Sequence, residues 1–266
     1  MTNEVSGFLT FAVETARRAG LMLKERIDQR HLIEYKGEID IVTEADRMSE
    51  EIIAAAVRER WPDHDLMTEE SAGIDRGGEF RWIVDPLDGT TNYAHAYPVF
   101  CVSLALEHGG EIVLGVVYNP MLDEMFTAER GKGAYLNGRP IRCSKTDDLS
   151  RGLLATGFPY DIRRSRENNL NYFLAMATKA QAIRRAGSAA LDLAYVAAGR
   201  FDGFWELKLK PWDMAAGCLL VTEAGGTVTD LHGGPFHIFV DGILASNGRI
   251  HEAMAEVLRN APPWGS

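Results

Sequence analysis

Ile83-Val84-Asp85-Pro86-Leu87-Asp88-Gly89-Thr90-Thr91-Asn92 is the stretch around which the chain is organised. Arg81 to Val84 read as a short strand, and two carboxylates three residues apart follow at once. Pro86 between them holds its own φ near the extended or turn value. Gly89 permits a sharp change of direction. Thr90, Thr91 and Asn92 can then open a helix with unpaired backbone N–H groups. Hard oxygen ligands therefore sit beside a helix start able to receive an oxyanion. That pairing suits a divalent cation bridging protein to phosphate. Taken alone, the same residues would also serve as a strand closed by an Asx-type turn.

Composition narrows the alternatives. The chain has 266 residues, enough for one large domain or two small ones. Hydrophobic residues make up 46%, so a sizeable core is available. With 28 basic and 38 acidic residues the net charge is −10. An acidic protein does not steer toward nucleic acid or an anionic membrane. It also repels phosphate at long range, so a phosphate-handling site here needs cations locally. Cys101, Cys143 and Cys218 are odd in number and widely spaced, which fits buried thiols better than a disulfide frame or a zinc site. Met1-Thr2-Asn3-Glu4 carries no basic segment and no apolar run of signal length. No stretch reaches the ~18 consecutive apolar residues of a membrane span. A soluble, cytoplasmic protein is expected, with no membrane and no direct nucleic-acid partner.

On either side of the central stretch the periodicities alternate. Phe8, Phe11, Ala12, Thr15, Ala19, Met22 and Leu23 recur at helical spacing. Thr43 is placed to cap a second helix, with Met48, Ile52, Ala56 and Val57 on its inner face and Trp61-Pro62 at its end. Within it Asp46 would, by itself, be a surface acid favoured by the helix dipole. Residues 65–68 lead as a strand into Glu69-Glu70, adjacent acids that an extended segment would aim at opposite faces. A polar loop over 71–79 follows. Residues 99–107 and 112–118 read as a hairpin, as do the strands flanking Asn137-Gly138, so an antiparallel sheet is expected on two helices.

The second half reads as a strand over 153–156, a helix over 167–179 and a helix from Ser188 to Gly199. Asp213 could cap an apolar helix from Met214 to Ala224. Val228 and residues 243–246 read as buried strands, and 250–259 as a last helix before a frayed tail after Pro262-Pro263. Glu206 alone would be a surface residue. A single domain over 1–266 is expected, with approximate subdomains 1–150 and 151–266.

Asp85 to Asn92 resembles the signature of the inositol monophosphatase family, Mg-dependent, lithium-sensitive phosphomonoesterases. Glu69-Glu70-Ser71 upstream and Pro211-Trp212-Asp213-Met214-Ala215-Ala216-Gly217 downstream match at the family's spacing. The resemblance runs from the first helix to about Arg259 and implies an α/β (α+β layered) fold of alternating α-β-α-β-α layers. It also implies the site. Glu69, Asp85 and the Leu87 carbonyl would hold one Mg²⁺. Asp85, Asp88 and Asp213 would hold a second, with Glu69 helping a weaker third. Thr90, oriented by Asp46, would help deprotonate the attacking water, and the Gly89 and Thr90 amides would hold phosphate. Gly187, Ser188, Ala189, Glu206 and Asp213 would contact the substrate, with Glu70 and Lys36 supporting the metal site. No catalytic cysteine signature or His-rich cluster is present, and His95 reads as structural, so direct attack by metal-bound water is expected. The implied substrate is a small phosphate monoester, inositol 1-phosphate first. Fructose bisphosphate, histidinol phosphate or a nucleotide 3′-phosphate would suit sister enzymes, and some bacterial relatives act as regulatory partners of transcription or RNA machinery. A homodimer is implied by the same resemblance.

Overall fold

The computed structural model describes residues 2–29 and 33–263, and the tail after Pro263 lies outside them. The first helix, α1 (Thr2–Arg26), buries Phe8, Ala12, Thr15, Ala16, Ala19 and Leu23, one face of a helix. A short antiparallel pair follows, β1 (Ile33–Tyr35) and β2 (Ile41–Thr43). Thr43 caps α2 (Glu44–Arg60), its Oγ1 accepting from the Ala45 N–H at 3.2 Å. The inner face of α2 departs from the expectation. Ala45, Asp46, Ser49, Glu50, Ile53, Ala54 and Val57 are buried, while Met48, Ile52 and Ala56 are only half-buried. The polar members turn inward because partners await them. Ser49 Oγ donates to the Pro86 carbonyl at 2.6 Å, and Glu50 Oε2 accepts from Thr68 Oγ1 at 2.6 Å.

Next come β3 (Asp65–Thr68), β4 (Phe80–Asp88) and the short α3 (Thr90–Ala94). They are followed by β5 (Cys101–His108), β6 (Glu111–Asn119), β7 (Glu124–Glu129), β8 (Gly133–Leu136) and β9 (Arg139–Pro140). These strands form a seven-stranded sheet in chain order. Both expected hairpins are present, and Asn137 and Gly138 take φ of 49° and 74° in the second turn. The sheet is not wholly antiparallel as expected, because β3 runs parallel to β4. β4 is also longer than the short strand anticipated. It continues through Asp85 to Asp88, and its register with β5 shifts between those two acids. Such a bulge re-aims side chains, here at the end of the strand where both carboxylates stand.

The second half contributes β10 (Leu153–Thr156), α4 (Leu170–Ala177), β11 (Ala182–Arg184), α5 (Ala189–Ala197) and β12 (Gly203–Leu207). After them come α6 (Pro211–Glu223), β13 (Thr227–Asp230), β14 (Gly242–Ser246) and α7 (His251–Arg259). The five strands order β11-β10-β12-β14-β13. α4 begins later than the helix expected from Glu167. Asn169 takes a left-handed φ of 70° and spends its amide on a buried network, donating to Thr156 Oγ1 at 2.8 Å and accepting from Trp205 Nε1 at 2.7 Å. β13 is half-buried along its length, an edge strand and not the buried one anticipated at Val228.

Five layers result: α1 and α2, the seven-stranded sheet, α5 and α6, the five-stranded sheet, and α4 with α7. The α-β-α-β-α order is as expected. α6 is buried continuously from Met214 to Val221, as a helix between two sheets must be. Gly115 on β6 lets it approach, since a Cβ there would lie 2.8 Å from the Ala216 carbonyl oxygen. The same layer carries Ser188 at the start of α5 and Asp213 in the first turn of α6, so the central helices deliver their N-termini to the end of β4.

Candidate active site

The ends of β3, β4 and β12 and the N-termini of α5 and α6 enclose a cleft of about 440 Å³. Glu69, Asp85, Leu87, Asp88, Gly89, Thr90, Gly187, Ser188, Ala189, Glu206, Asp213 and Lys36 all line it. Asp46 and Glu70 stand behind that lining and are reached through Thr90 and Lys36.

Each acid is held by local structure. Gly89 takes φ of 103°, and a Cβ there would approach the Val99 carbonyl oxygen to 3.0 Å, so β4 can turn into α3 only at a glycine. Asp85 Oδ1 accepts from the Leu87 N–H at 3.0 Å. Asp88 Oδ2 accepts from Ser188 Oγ and from the Ala190 N–H, both at 2.7 Å. The start of α5 is thus satisfied by a carboxylate from another strand: Ser188 stands at the N-cap position, and its hydroxyl donates to Asp88 and accepts from no backbone N–H of its own helix. Asp213 is likewise not the residue before α6. It sits in the first turn and reaches back to the Lys210 N–H at 2.7 Å. Asp46 does the same on α2, where Oδ2 accepts from the Thr43 N–H at 2.8 Å and Thr43 Oγ1 at 2.6 Å, leaving Oδ1 for Thr90 Oγ1 at 2.8 Å. Asp46 is fully buried, not a surface acid.

Lys36 is not a free surface lysine. Its Nζ lies 3.1 Å from Glu69 Oε1 and 2.5 Å from Glu70 Oε1. The two adjacent acids therefore share one cation and do not point to opposite faces, because the chain bends just after β3. Burial is the first cause that raises the proton affinity of Asp85, Asp88 and Asp213; like charge from the neighbouring acids adds to it at Asp85 and Asp213, whereas the hydrogen bonds from Ser188 and the start of α5 oppose it at Asp88. Glu69 is pushed up to about 7 by burial, with Lys36 opposing. For Lys36 burial lowers the pKa, but the pull of Glu69 and Glu70 outweighs it and the net shift is upward.

Carboxylates and a backbone carbonyl at the end of β4 are a donor set of hard oxygens, the kind a small divalent cation takes. Among the described residues, no three His, Cys, Asp or Glu side chains are already gathered as a ready cage. Ser188 Oγ holds Asp88, the Lys210 N–H holds Asp213, and Lys36 holds both Glu69 and Glu70. The chemistry of the donors fits Mg²⁺, and a bound ion would have to draw their oxygens together.

Several cleft residues had no assigned part beforehand. Arg185, Asp192, Gly157, Tyr160 and Lys208 line the cleft. Glu50, behind it, accepts from the Glu70 N–H at 2.9 Å. Asn92 Nδ2 donates to the Val99 and Ala186 carbonyls at 2.7 and 2.8 Å, tying the motif to the loop before Gly187. A signal for two of them existed. Glu50 falls one helical turn after Asp46, and Asp192 is a lone acid in an apolar helix. His95 is exposed at the end of α3 and outside the cleft.

Comparison with known proteins identifies the family. The inositol monophosphatase family model matches residues 4–262. An inositol-1-monophosphatase of Synechocystis sp. is 43% identical over 264 residues, 98% of this chain and 92% of the relative. A protein named Nus factor SuhB from Escherichia coli (strain K12) is 43% identical over 255 residues, 95% of this chain and 96% of its own. The solved inositol monophosphatase of Anabaena (Nostoc) sp. superposes with a TM-score of 0.90 at 43% identity, covering 98% of both chains. With its layered fold, its acid-lined cleft and these matches along nearly its whole length, the chain belongs to the inositol monophosphatase family and is a phosphomonoester hydrolase.

Proposed function

We propose that this protein hydrolyses inositol 1-phosphate to inositol and phosphate in a Mg²⁺-dependent reaction. The observation that carries the proposal is the meeting of Glu69, Asp85, Asp88 and Asp213 in one cleft beside the Thr90–Asp46 hydrogen bond. Glu69, Asp85 and the Leu87 carbonyl would hold one ion, Asp85, Asp88 and Asp213 a second, and Glu69 would help a third. Bound there, Mg²⁺ would supply neutralisation of phosphoryl charge and polarisation of water.

The chain's own residues do the rest. The Thr90 hydroxyl has one proton and two acceptors in reach, Asp46 Oδ1 at 2.8 Å and the Leu87 carbonyl at 3.1 Å. The carboxylate is both nearer and the stronger acceptor. With its proton directed there, Thr90 Oγ1 keeps lone pairs for a proton from the attacking water. Burial raises the proton affinity of Asp46, so it is suited to receive what Thr90 passes on. The Gly89 and Thr90 amides hold phosphate oxygens. Glu206 and the backbone at Gly187 to Ala189 position the alcohol, while Lys36 and Glu70 set the placement of Glu69.

The reading includes a cytoplasmic homodimer whose parts 1–150 and 151–266 act as one unit. Among the described residues, no helix is long and apolar enough to cross a membrane. Phosphate release from inositol 1-phosphate, fructose 1,6-bisphosphate, histidinol phosphate and a nucleotide 3′-phosphate, each with Mg²⁺, tests the substrate. Fastest kcat/KM on any but the first would reject it. Sedimentation as a monomer at micromolar concentration would reject the dimer.

A protein-binding role in transcription is the second reading. One observation favours it: the relative named Nus factor SuhB is as similar to this chain as the Synechocystis phosphatase. The charge of −10 opposes direct RNA contact but not a protein partner.

A further inference from the structure

Asp192 lies on α5 with 1% of its surface exposed and lines the cleft. Its Oδ1 is buried and has no hydrogen-bond partner. A buried polar atom left unpaired is destabilising, and native folds seldom keep one without a use. The fold does not ask for an acid here. The neighbours on α5 are Ala190, Leu191, Leu193 and Ala194, all buried, and an apolar side chain would serve packing better.

The surroundings indicate what the atom meets. Glu206 from β12 lines the same cleft. Its carboxylate is pressed against backbone, since a Cβ on Gly157 would lie 2.0 Å from Glu206 Oε1. Burial drives the proton affinity of Asp192 well up, with Glu206 and Asp88 adding to it and Arg185 opposing. Two carboxyl groups beside one guanidinium are the polar side chains of this part of the wall. Their oxygens offer acceptors for hydroxyl donors.

We propose that Asp192 determines specificity in this cleft, its Oδ1 accepting a hydrogen bond from a second hydroxyl of a polyol phosphate whose first hydroxyl is held by Glu206. The inference rests on the phosphatase reading above. It adds a residue that reads the alcohol and takes no part in the chemistry at phosphorus.

The test compares kcat/KM for myo-inositol 1-phosphate and for phenyl phosphate, which has no free hydroxyl, in wild type, Asp192→Ala and Asp192→Asn. In Asp192→Ala the ratio of the two values should fall about 3- to 10-fold, the scale of one neutral hydrogen bond, through KM. Asp192→Asn keeps the shape and an acceptor oxygen, so it should recover most of the ratio and guards against a misfolded alanine variant. An unchanged ratio in Asp192→Ala overturns the proposal, as does an equal loss on both substrates, which is the mark of a structural role. A higher Mg²⁺ requirement in Asp192→Asn would make the residue a metal ligand and also overturn it. A larger loss on histidinol phosphate than on inositol 1-phosphate would mean an ammonium is read instead of a hydroxyl. If wild type turns over neither ester with Mg²⁺, the phosphatase reading itself has failed and the inference falls with it.

Discussion

The Thr90 hydroxyl donates to Asp46 Oδ1 at 2.8 Å, joining the first turn of α3 to the first turn of α2 across 44 residues of sequence. Asp46 cannot turn away, because its other oxygen is held by both the backbone and the side chain of Thr43. Thr90→Ala should therefore lower kcat by about 10²- to 10⁴-fold, the scale of positioned proton transfer. Asp46→Asn should give a similar defect, and the double variant should be little worse than either single one. The Mg²⁺ concentration for half-maximal rate should barely move. A rise in that concentration for Thr90→Ala would assign Thr90 to the metal site instead.

Asp88→Asn is the contrasting case. It keeps the shape of an acid whose Oδ2 accepts from Ser188 Oγ and the Ala190 N–H, but removes the charge. The half-maximal Mg²⁺ concentration should rise and turnover should fall together. Excess Ca²⁺ should inhibit the wild type, since it takes more ligands at longer distances and displaces the aligned water. Li⁺ should inhibit as well. Steady-state rates across metal titrations decide this, and equal turnover with Ca²⁺ and Mg²⁺ would refute the geometry argued here.

Gly157→Ala tests the backbone beside Glu206. The added Cβ would fall 2.0 Å from Glu206 Oε1, and the carboxylate is the movable end of its side chain. The fold should tolerate the change, with Glu206 displaced. KM for inositol 1-phosphate should rise by several-fold, while the melting temperature shifts by less than ~4 °C, about 1 kcal/mol for a chain of this size. A large fall in melting temperature with KM unchanged would contradict this account.

His64 sets an acid limit on stability. Its Nδ1 accepts from Trp82 Nε1 at 3.1 Å, and its ring stacks on Trp61 and Phe80. Burial lowers its pKa, with Asp63 and Asp65 opposing. The unfolded chain therefore binds more protons than the folded one below about pH 6.5, the ordinary histidine value. The stabilising contribution is full above that pH and is lost as pH falls through the folded value. His251, also lowered by burial, acts in the same direction. The His64 contribution, read as the melting-temperature difference between wild type and His64→Asn from pH 8 down to 5, should shrink on the acid side. The cleft acids, whose proton affinity burial raises, act in the opposite direction in both proteins. A difference that stays constant with pH would remove His64 from the account.

Local pattern already carried much of the architecture. The spacing of Phe8, Ala12, Thr15 and Ala19 marked the buried face of α1, and Asn137-Gly138 marked a turn that needs positive φ. Both are decided within a few residues, by helical period and by steric limits on the backbone. The inner face of α2 was misjudged by about one residue, because apolar period alone does not register that Ser49 and Glu50 have partners on other strands. The parallel pairing of β3 with β4 was equally out of reach, since strand direction depends on the path of the loop between them.

The sequence by itself determined which acids this protein has and where they stand in the chain: Asp85 and Asp88 around Pro86, Glu69 beside Glu70, and Asp213 after Pro211-Trp212. Only the tertiary structure decided how each is used. Asp213 bonds backward within its own helix, whereas Asp88 serves a helix 100 residues away. Lys36 gathers both glutamates, and Asp192 Oδ1 is left without a partner at the cleft wall. The physical reason is that covalent chemistry assigns charge to a residue locally. Burial, hydrogen-bond partners and mutual repulsion are set by what the layers bring next to it.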